Sequence, residues 1–590
     1  MNITAAPPIF HARVCLAEQL DRVVVVPEAG TDRHALVREL RSALAHVVPG
    51  AGGVSVRGEH AASLLDPLPN VELDWDEAAR RFVENRRRVL VEHTRVRAEV
   101  EAVKVAGPDA ARCVLGDLDD VEVLDPHQLV NVAAMVIPGG PGLCVFDEQG
   151  AGKTVTLIFA FDLLVKRHEA DVLIVVAPKS MVPEWPRDFS RFTGDLYRVV
   201  ILSGSRREKM AALRRGGDVF VTNFETVVSM EAELTSLARM RDGRVALAVD
   251  ESFYVKNLDA RRTKAVRRLR EWCGRAYVLC GTPAPNSPHD LIQQFGVVDF
   301  GATFAGVEVP EEREAAHPVV QQAIEARGLY VRHLKQDVMP DLPGKSFERV
   351  LVPLQPQQQQ LYDTACRDMV LDLQSIDDAA FQRQLPSFLA RRMALLQICS
   401  HPGAVVPGYR ETPAKLLALD AVLEELIERR GEKVIVWSAF VHSVEELVAR
   451  YSRYGSVRYD GSVETVEERR EAVRRFQEDD RTRLFVANPA AAGAGLTLHR
   501  ARVAVYESLS NQAAHYLQSL DRIHRRGQAR EVQYIVLLGA GTLEEGEYQG
   551  LLRKEERAQH LLGDQIVAPP TRQRMLAELL GAGGDAVRRP

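Results

Sequence analysis

The sequence predicts an α/β protein: two domains, each built on a parallel sheet, joined by a helical connection and preceded by a smaller α+β region. Three observations predict it. Between about 116 and 345, short apolar runs alternate with helical stretches, as in VLIVVAP, DVFVTN, RVALAV and RAYVLCGTP. Residues 353–412 change character and read as helices, in PLQPQQQQLYDTACRDMVLDL and LPSFLARRMALLQICSHP. A second alternation opens near 415 with EKVIVWSAF, RLFVANP, VAVYES and VQYIVLL. Runs this short and this uniformly apolar suit strands covered on both faces. The expected divisions are 1–115, 116–345, 346–412 and 413–560, with a charged helical tail over 561–590.

Composition narrows the class. At 590 residues, 46% hydrophobic and 26% charged, the chain is globular and long enough for several cores. No apolar run is long enough to span a bilayer, and MNITAAPPIFHARV lacks a signal-peptide layout, so no membrane partner is expected. Cys15, Cys113, Cys144, Cys273, Cys280, Cys366 and Cys399 are scattered without a CxxC pair. Neither a zinc knuckle nor a disulfide framework is expected, and a reducing cytoplasm fits. The net charge of −6 excludes a uniformly basic surface but not a local basic stripe. Candidates are RRTKAVRRLR (261–270), the arginines at 86–88, and Arg469, Arg470, Arg474 and Arg475. Each reads equally well as a solvated helix face.

Residues 1–115 mix short strands such as VVVVP with a charged helix beginning at WDEAARRF, and carry no motif. They are the expected seat of any protein partner. Acids and a proline in GDLDDVEVLDP mark the boundary that follows. The chemistry then begins. Asp147–Thr154 reads DEQGAGKT after the buried-strand pattern PGLCVF. Gly150 and Gly152 can take backbone angles closed to other residues, turning N–H groups around Ala151 inward onto phosphate oxygens. Lys153 supplies charge to the outer phosphates and Thr154 a hydroxyl to Mg²⁺. The helical TVTLIFAFDLLV presents its positive end to the same place. The longer Gly-x4-Gly-Lys spacing is not met, because its first glycine falls on Asp147.

Downstream, GRVALAV ends in Asp250 and Glu251. Phosphoryl transfer needs an acid to hold the metal and another to orient and deprotonate water, and these two are placed for it. Acids at strand ends are often merely solvated; the loop upstream, in the right order, favours the catalytic reading. In the second α/β domain QSLDRIHRRGQ places Arg522 and Arg525 three apart on an expected helix, hence on one face, where two guanidinium forks suit a triphosphate.

Taken in order, these segments resemble the SWI/SNF-type branch of helicase superfamily two, over about residues 124–555. LDPHQ is similar to its adenine-reading motif and implicates Gln128. DEQGAGKT resembles DEMGLGKT, and DESFYVKN stands where the branch has DESHxxKN. VVAPKSMVPEWPRDF and VTNFET resemble segments that touch a nucleic-acid strand. The resemblance thereby implies nucleic-acid contacts at Lys179, Ser180, Thr222, Asn223, Lys256 and Asn257. CGTPAPN, AGAGLTL and DRIHRRGQ imply coupling roles for Gly281, Thr282, Gly493, Gly495 and Gln518, and LLQICSHP is similar to the branch's linker. What the resemblance implies is two RecA-like domains, ATP and Mg²⁺ as cofactors, and translocation along double-stranded or branched DNA. The GLTL and DES wording is nearest the fork-remodelling, strand-annealing members. Two departures stand out: Phe253 replaces the usual histidine, and Ser510–Asn511 replaces a tryptophan-bearing stretch. No chromatin-reading module is visible, so nucleosome remodelling is not expected. An RNA-polymerase-recycling ATPase and a nucleotide-gated scaffold remain as alternatives.

Overall fold

The computed structural model describes residues 9–17, 22–44, 47–50, 52–284, 287–463, 465–491, 496–510, 512–558 and 571–582. The chain divides into two compact units, residues 1–334 and 335–590.

The first unit opens with β1 (Phe10–Leu16), β2 (Arg22–Pro27), β3 (Val47–Gly50), β4 (Gly53–Arg57) and β5 (Val71–Trp75). They form one sheet in the order β3-β4-β2-β1-β5, antiparallel except where β1 meets β5. Alternation in β1 and β2 sends Val14, Val23 and Val25 inward. Leu36 and Leu40, four apart on the helix Arg33–Ala43, close that core. The Asp32 carboxylate starts this helix by accepting from the backbone N–H groups of His34 and Ala35.

A long helical segment, Glu77–Val114, then runs from the small sheet onto the larger one and breaks at Gly107, where φ is +75°. Its inner face is mainly apolar, with Phe82, Val83, Val89, Val96 and Val100 buried, and the polar residues among them are paired. Arg86 is buried, lies 3.2 Å over the Phe82 ring, and bonds Glu271 at 2.9 Å. Asn85 donates to the Glu271 carbonyl at 2.8 Å.

The larger sheet holds β6 (Gly142–Val145), β7 (Val172–Val176), β8 (Val199–Ile201), β9 (Val219–Thr222), β10 (Gly243–Asp250), β11 (Cys273–Leu279) and β12 (Tyr330–Val331). All run parallel in the order β12-β6-β11-β10-β7-β9-β8. Its central strands are buried along their length, as helices on both faces require. Parallel strands share one carboxyl edge, and the functional segments gather there.

The second unit has its own parallel sheet: β13 (Lys345–Val352), β14 (Val434–Trp437), β15 (Val457–Tyr459), β16 (Leu484–Ala487), β17 (Val503–Tyr506) and β18 (Val532–Gly539). The order is β13-β18-β17-β14-β16-β15. This corrects the expected start of the helical connection at 346. Residues 345–352 pair along β18, and as an exposed edge strand they lack the apolar run by which the other strands are recognised. The helical pair itself is Pro356–Ser375 and Asp378–Ser400, whose Tyr362, Met369, Phe381 and Phe388 pack with Met575 and Leu579 of the helix Arg572–Ala582.

Candidate nucleotide site

After β6 the chain makes a tight loop and enters the helix Lys153–Lys166 at Gly152. Gly150 has φ +89° and Gly152 φ +87°, the left-handed region glycine reaches without strain. A Cβ on Gly152 would also lie 2.0 Å from Gln128 Nε2. No side chain caps this helix start, so its leading N–H groups are available to an anion. Lys153 Nζ donates to the carbonyls of Asp147 at 2.8 Å and Glu148 at 3.3 Å, which keeps the ammonium over the loop, with Thr154 beside it in the first helical turn.

The loop is braced from behind. Gln128 Oε1 accepts from the Asp125 N–H at 2.8 Å, while Nε2 donates to the Ala151 carbonyl at 3.2 Å. His127 Nε2 bonds the same carbonyl at 2.9 Å, and burial pushes the His127 imidazole below its usual pKa, so the ring is neutral and this nitrogen carries the proton. The Asp147 carboxylate is fully buried, accepting from Asn131 at 2.6 Å and pairing with His333 Nδ1 at 2.9 Å. Asp147 therefore braces the loop through its side chain rather than facing outward to ATP. His127, Asn131 and His333 were not legible beforehand; His333 lies far down the chain with no local pattern to mark it.

The two acids end β10. Asp250 Oδ1 accepts from the Glu251 N–H at 3.0 Å, while Oδ2 is buried without a hydrogen-bond partner among the described residues. Burial, and after it the charge of Glu251, raises the Asp250 carboxyl pKa; Lys153 opposes the rise. Glu251 has φ +49° and ψ +55°, rare for a residue with a side chain. Its Oε1 accepts from Gln149 Nε2 at 3.1 Å. The next residue joins the acids to the GTP segment, because Ser252 Oγ donates to Gln294 Oε1 at 2.5 Å and Gln294 Nε2 donates to the Pro283 carbonyl at 2.5 Å. Gly281 packs against Gln149: a Cβ there would stand 2.7 Å from Gln149 Cγ. Thr282 is half-buried beside it. Gln294, on the helix His289–Asp299, had no sequence signal beyond lying on a helix.

These groups fit a triphosphate with a divalent cation. The fit rests on the open helix start, the lysine over the loop and the unpartnered Asp250 oxygen. Among the described residues no group of three or more His, Cys, Asp or Glu is placed to hold a metal ion by itself. A cation here would take Asp250, the Thr154 hydroxyl, phosphate oxygens and water, which is the habit of Mg²⁺.

The expected nucleic-acid residues share this carboxyl edge with unequal exposure. Lys179 is exposed and Ser180 half-buried after β7; Asn257 is exposed and turns its Oδ1 to the Asp259 N–H at 2.9 Å. Lys256 pairs with Asp290 at 3.2 Å. Thr222 is fully buried, while the half-buried Asn223 caps the helix Phe224–Ser229 by accepting from the Thr226 N–H. Phe253 stacks on Tyr254 at 4.6 Å, and the Tyr254 ring meets Phe224 at a tilt, with centroids 5.2 Å apart.

In the second unit, Gln518 is buried on the helix Ala513–Leu520. That helix stops before the arginines, a correction to the helical expectation: the Arg522 carbonyl leaves the helical ladder to accept from the Leu498 N–H at 3.0 Å. Arg522 and Arg525 still converge, each donating to the Leu496 carbonyl at 3.3 Å. Ser510 Oγ accepts from the Gln512 N–H and contacts His515. Gly493, Gly495, Asn286 and Asn511 lie outside the described residues.

Comparison with known proteins agrees with this anatomy. The SNF2-related domain matches residues 127–404, and the helicase conserved C-terminal domain matches residues 417–527. The chain belongs to the SNF2 family of helicase-like ATPases. It is 28% identical to YwqA of Bacillus subtilis, named as an ATP-dependent helicase/translocase, over 72% of this chain and 47% of that one. It is 24% identical to the human DNA repair and recombination protein RAD54-like, over 72% and 65% of the two chains. It is 26% identical to the mouse DNA annealing helicase and endonuclease ZRANB3, over 70% and 38%. The chain thus spans about half the length of the curated relatives it matches.

Proposed function

We propose that this protein is a DNA-dependent ATPase that translocates along double-stranded or branched DNA, in DNA repair, fork remodelling or defence against foreign DNA. One observation carries the reading: Lys153, Asp250 and Glu251 are gathered at one carboxyl edge of the sheet, beside a helix start that is open to an anion. In this reading Lys153 and the loop N–H groups bind the phosphates, and Thr154 and Asp250 hold Mg²⁺, which neutralises charge on the transferring phosphoryl group. Glu251 orients the attacking water and takes its proton. Arg522 and Arg525 add fixed positive charge for the transition state, as arginine fingers do. Gln294 ties the acid segment to Gly281–Pro283, so that hydrolysis is felt by the coupling element.

DNA as track is supported by family membership and by relatives named as a helicase/translocase, a DNA repair and recombination protein and a DNA annealing helicase; annealing acts where single strands meet duplex, which fits a branched substrate. Backbone contacts would give affinity with little sequence preference and a steep salt dependence. Seven free thiols fit a cytoplasmic setting, and among the described residues no helix is long and apolar enough to cross a membrane. Residues 1–115 are the proposed site for a protein partner.

The test is ATP hydrolysis without nucleic acid, with single strands, with duplex and with forked duplex. Stimulation by duplex supports translocation. Binding of ATP without turnover on any of them leaves the nucleotide-gated scaffold, which the Phe253 aromatic stack favours because it stands where a polar link was expected. Stimulation by transcription complexes alone favours the polymerase-recycling reading.

A further inference from the structure

The Glu251 carboxylate sits in a buried place, 5% exposed, on a left-handed backbone. A buried carboxylate that is to take a proton from water needs a donor to fix its rotamer. A cation in that role would also lower its basicity, whereas a neutral amide orients it at less cost to basicity. Gln149 is that amide: it is 9% exposed, and its Nε2 donates to Glu251 Oε1 at 3.1 Å. The amide is itself placed by a third segment. Gly281 lies so close that a Cβ would stand 2.7 Å from Gln149 Cγ and 3.0 Å from its backbone nitrogen. Three segments distant in sequence therefore meet on one side chain.

We propose that Gln149 is a positioning residue for ATP hydrolysis, holding the water-activating carboxylate by one oxygen at a place set by Gly281. This rests on the ATPase reading above. Through it the GTP segment governs Glu251 by way of the phosphate loop, so that a shift of Gly281 misaligns the base without loosening the nucleotide.

The experiment compares the full chain with Gln149→Met, Gln149→Glu, Gly281→Ala and the Gln149→Met/Gly281→Ala double variant on duplex DNA. Methionine keeps the length of glutamine and lacks the donor. Turnover (kcat) should fall about 10- to 100-fold in Gln149→Met, the order a misplacement of about 1 Å costs. Affinity for a fluorescent non-hydrolysable ATP analogue with Mg²⁺ should stay within about twofold, since ground-state binding is untouched. Gln149→Glu sets a second carboxylate against Glu251, so the acid limb of the kcat–pH profile moves to higher pH. Gly281→Ala should match the methionine variant, and the double variant should lose no more than either single change. Wild-type kcat in Gln149→Met overturns the proposal. So does analogue affinity falling in step with kcat, which marks a loop-shaping role, or losses that add in the double variant. A wild-type chain that binds ATP yet hydrolyses none on any nucleic acid sinks the ATPase reading itself and is told apart by its unmutated control.

Discussion

The two parallel-sheet domains handle charge in opposite ways. In the first, a lysine, two acids and two glutamines are packed around one loop, and burial moves the Asp250 pKa upward. In the second, Arg522 and Arg525 both donate to the Leu496 carbonyl, while the deeply buried ionic set, Lys415 with Glu544 and the Glu507 carbonyl, lies in the core. The difference follows from the side chains. Carboxylates must be tuned to be ionised or to take a proton, which calls for a dry, braced setting. A guanidinium is charged at every relevant pH and needs only a place to stand.

The sharpest way to break this contrast is Glu251→Gln, which should bind ATP normally and lose turnover by about 10⁴-fold, the upper range for general-base loss. A rapid-quench assay of bound ATP reads it directly, and normal hydrolysis would remove Glu251 from the mechanism. Next comes Arg525→Ala, expected to cut duplex-stimulated kcat by about a thousandfold with near-normal ATP affinity, as for an arginine finger. Unchanged turnover would leave the second domain with no part in the chemistry.

The third prediction concerns stability. Lys415 Nζ reaches Glu544 at 2.5 Å with both side chains buried. Lys415→Ala should destabilise the second unit by about 3 kcal/mol, because it strands a buried carboxylate. Denaturant unfolding checks this, and a change below about 1 kcal/mol would mean that solvent reaches Glu544.

The smallest effect is a pH dependence. The Glu446 carboxylate, 2.8 Å from His401 Nδ1, raises the His401 pKa above its usual 6.5. A raised folded value means the pair's contribution is complete below about 6.5 and is lost as pH climbs through the higher folded value. Both groups are partly exposed, so a few tenths of a kcal/mol is the expected size. Comparing wild type with Glu446→Gln at pH 6 and pH 8 should show a larger gap at pH 6; a gap that grows at pH 8 would reverse the assignment.

What could be read beforehand was local. Glycines followed by lysine, and acids ending an apolar run, report themselves because their chemistry demands neighbours in sequence. Two kinds of feature escaped. Contacts such as His333 on Asp147, or Gln294 between Ser252 and Pro283, join distant segments, and their residue types are ordinary on a helix or loop. Exposed or irregular backbone also misled: β13 has the polar face of an edge strand, and the arginine segment turns because a loop N–H claims the Arg522 carbonyl.

The Arg86–Glu271 weld has one further consequence. It fastens the small N-terminal sheet to the nucleotide domain through a long helical strut rather than a slack tether. A partner bound to that sheet, as proposed for residues 1–115, would therefore be held in one orientation to the nucleotide domain, with no slack chain between them.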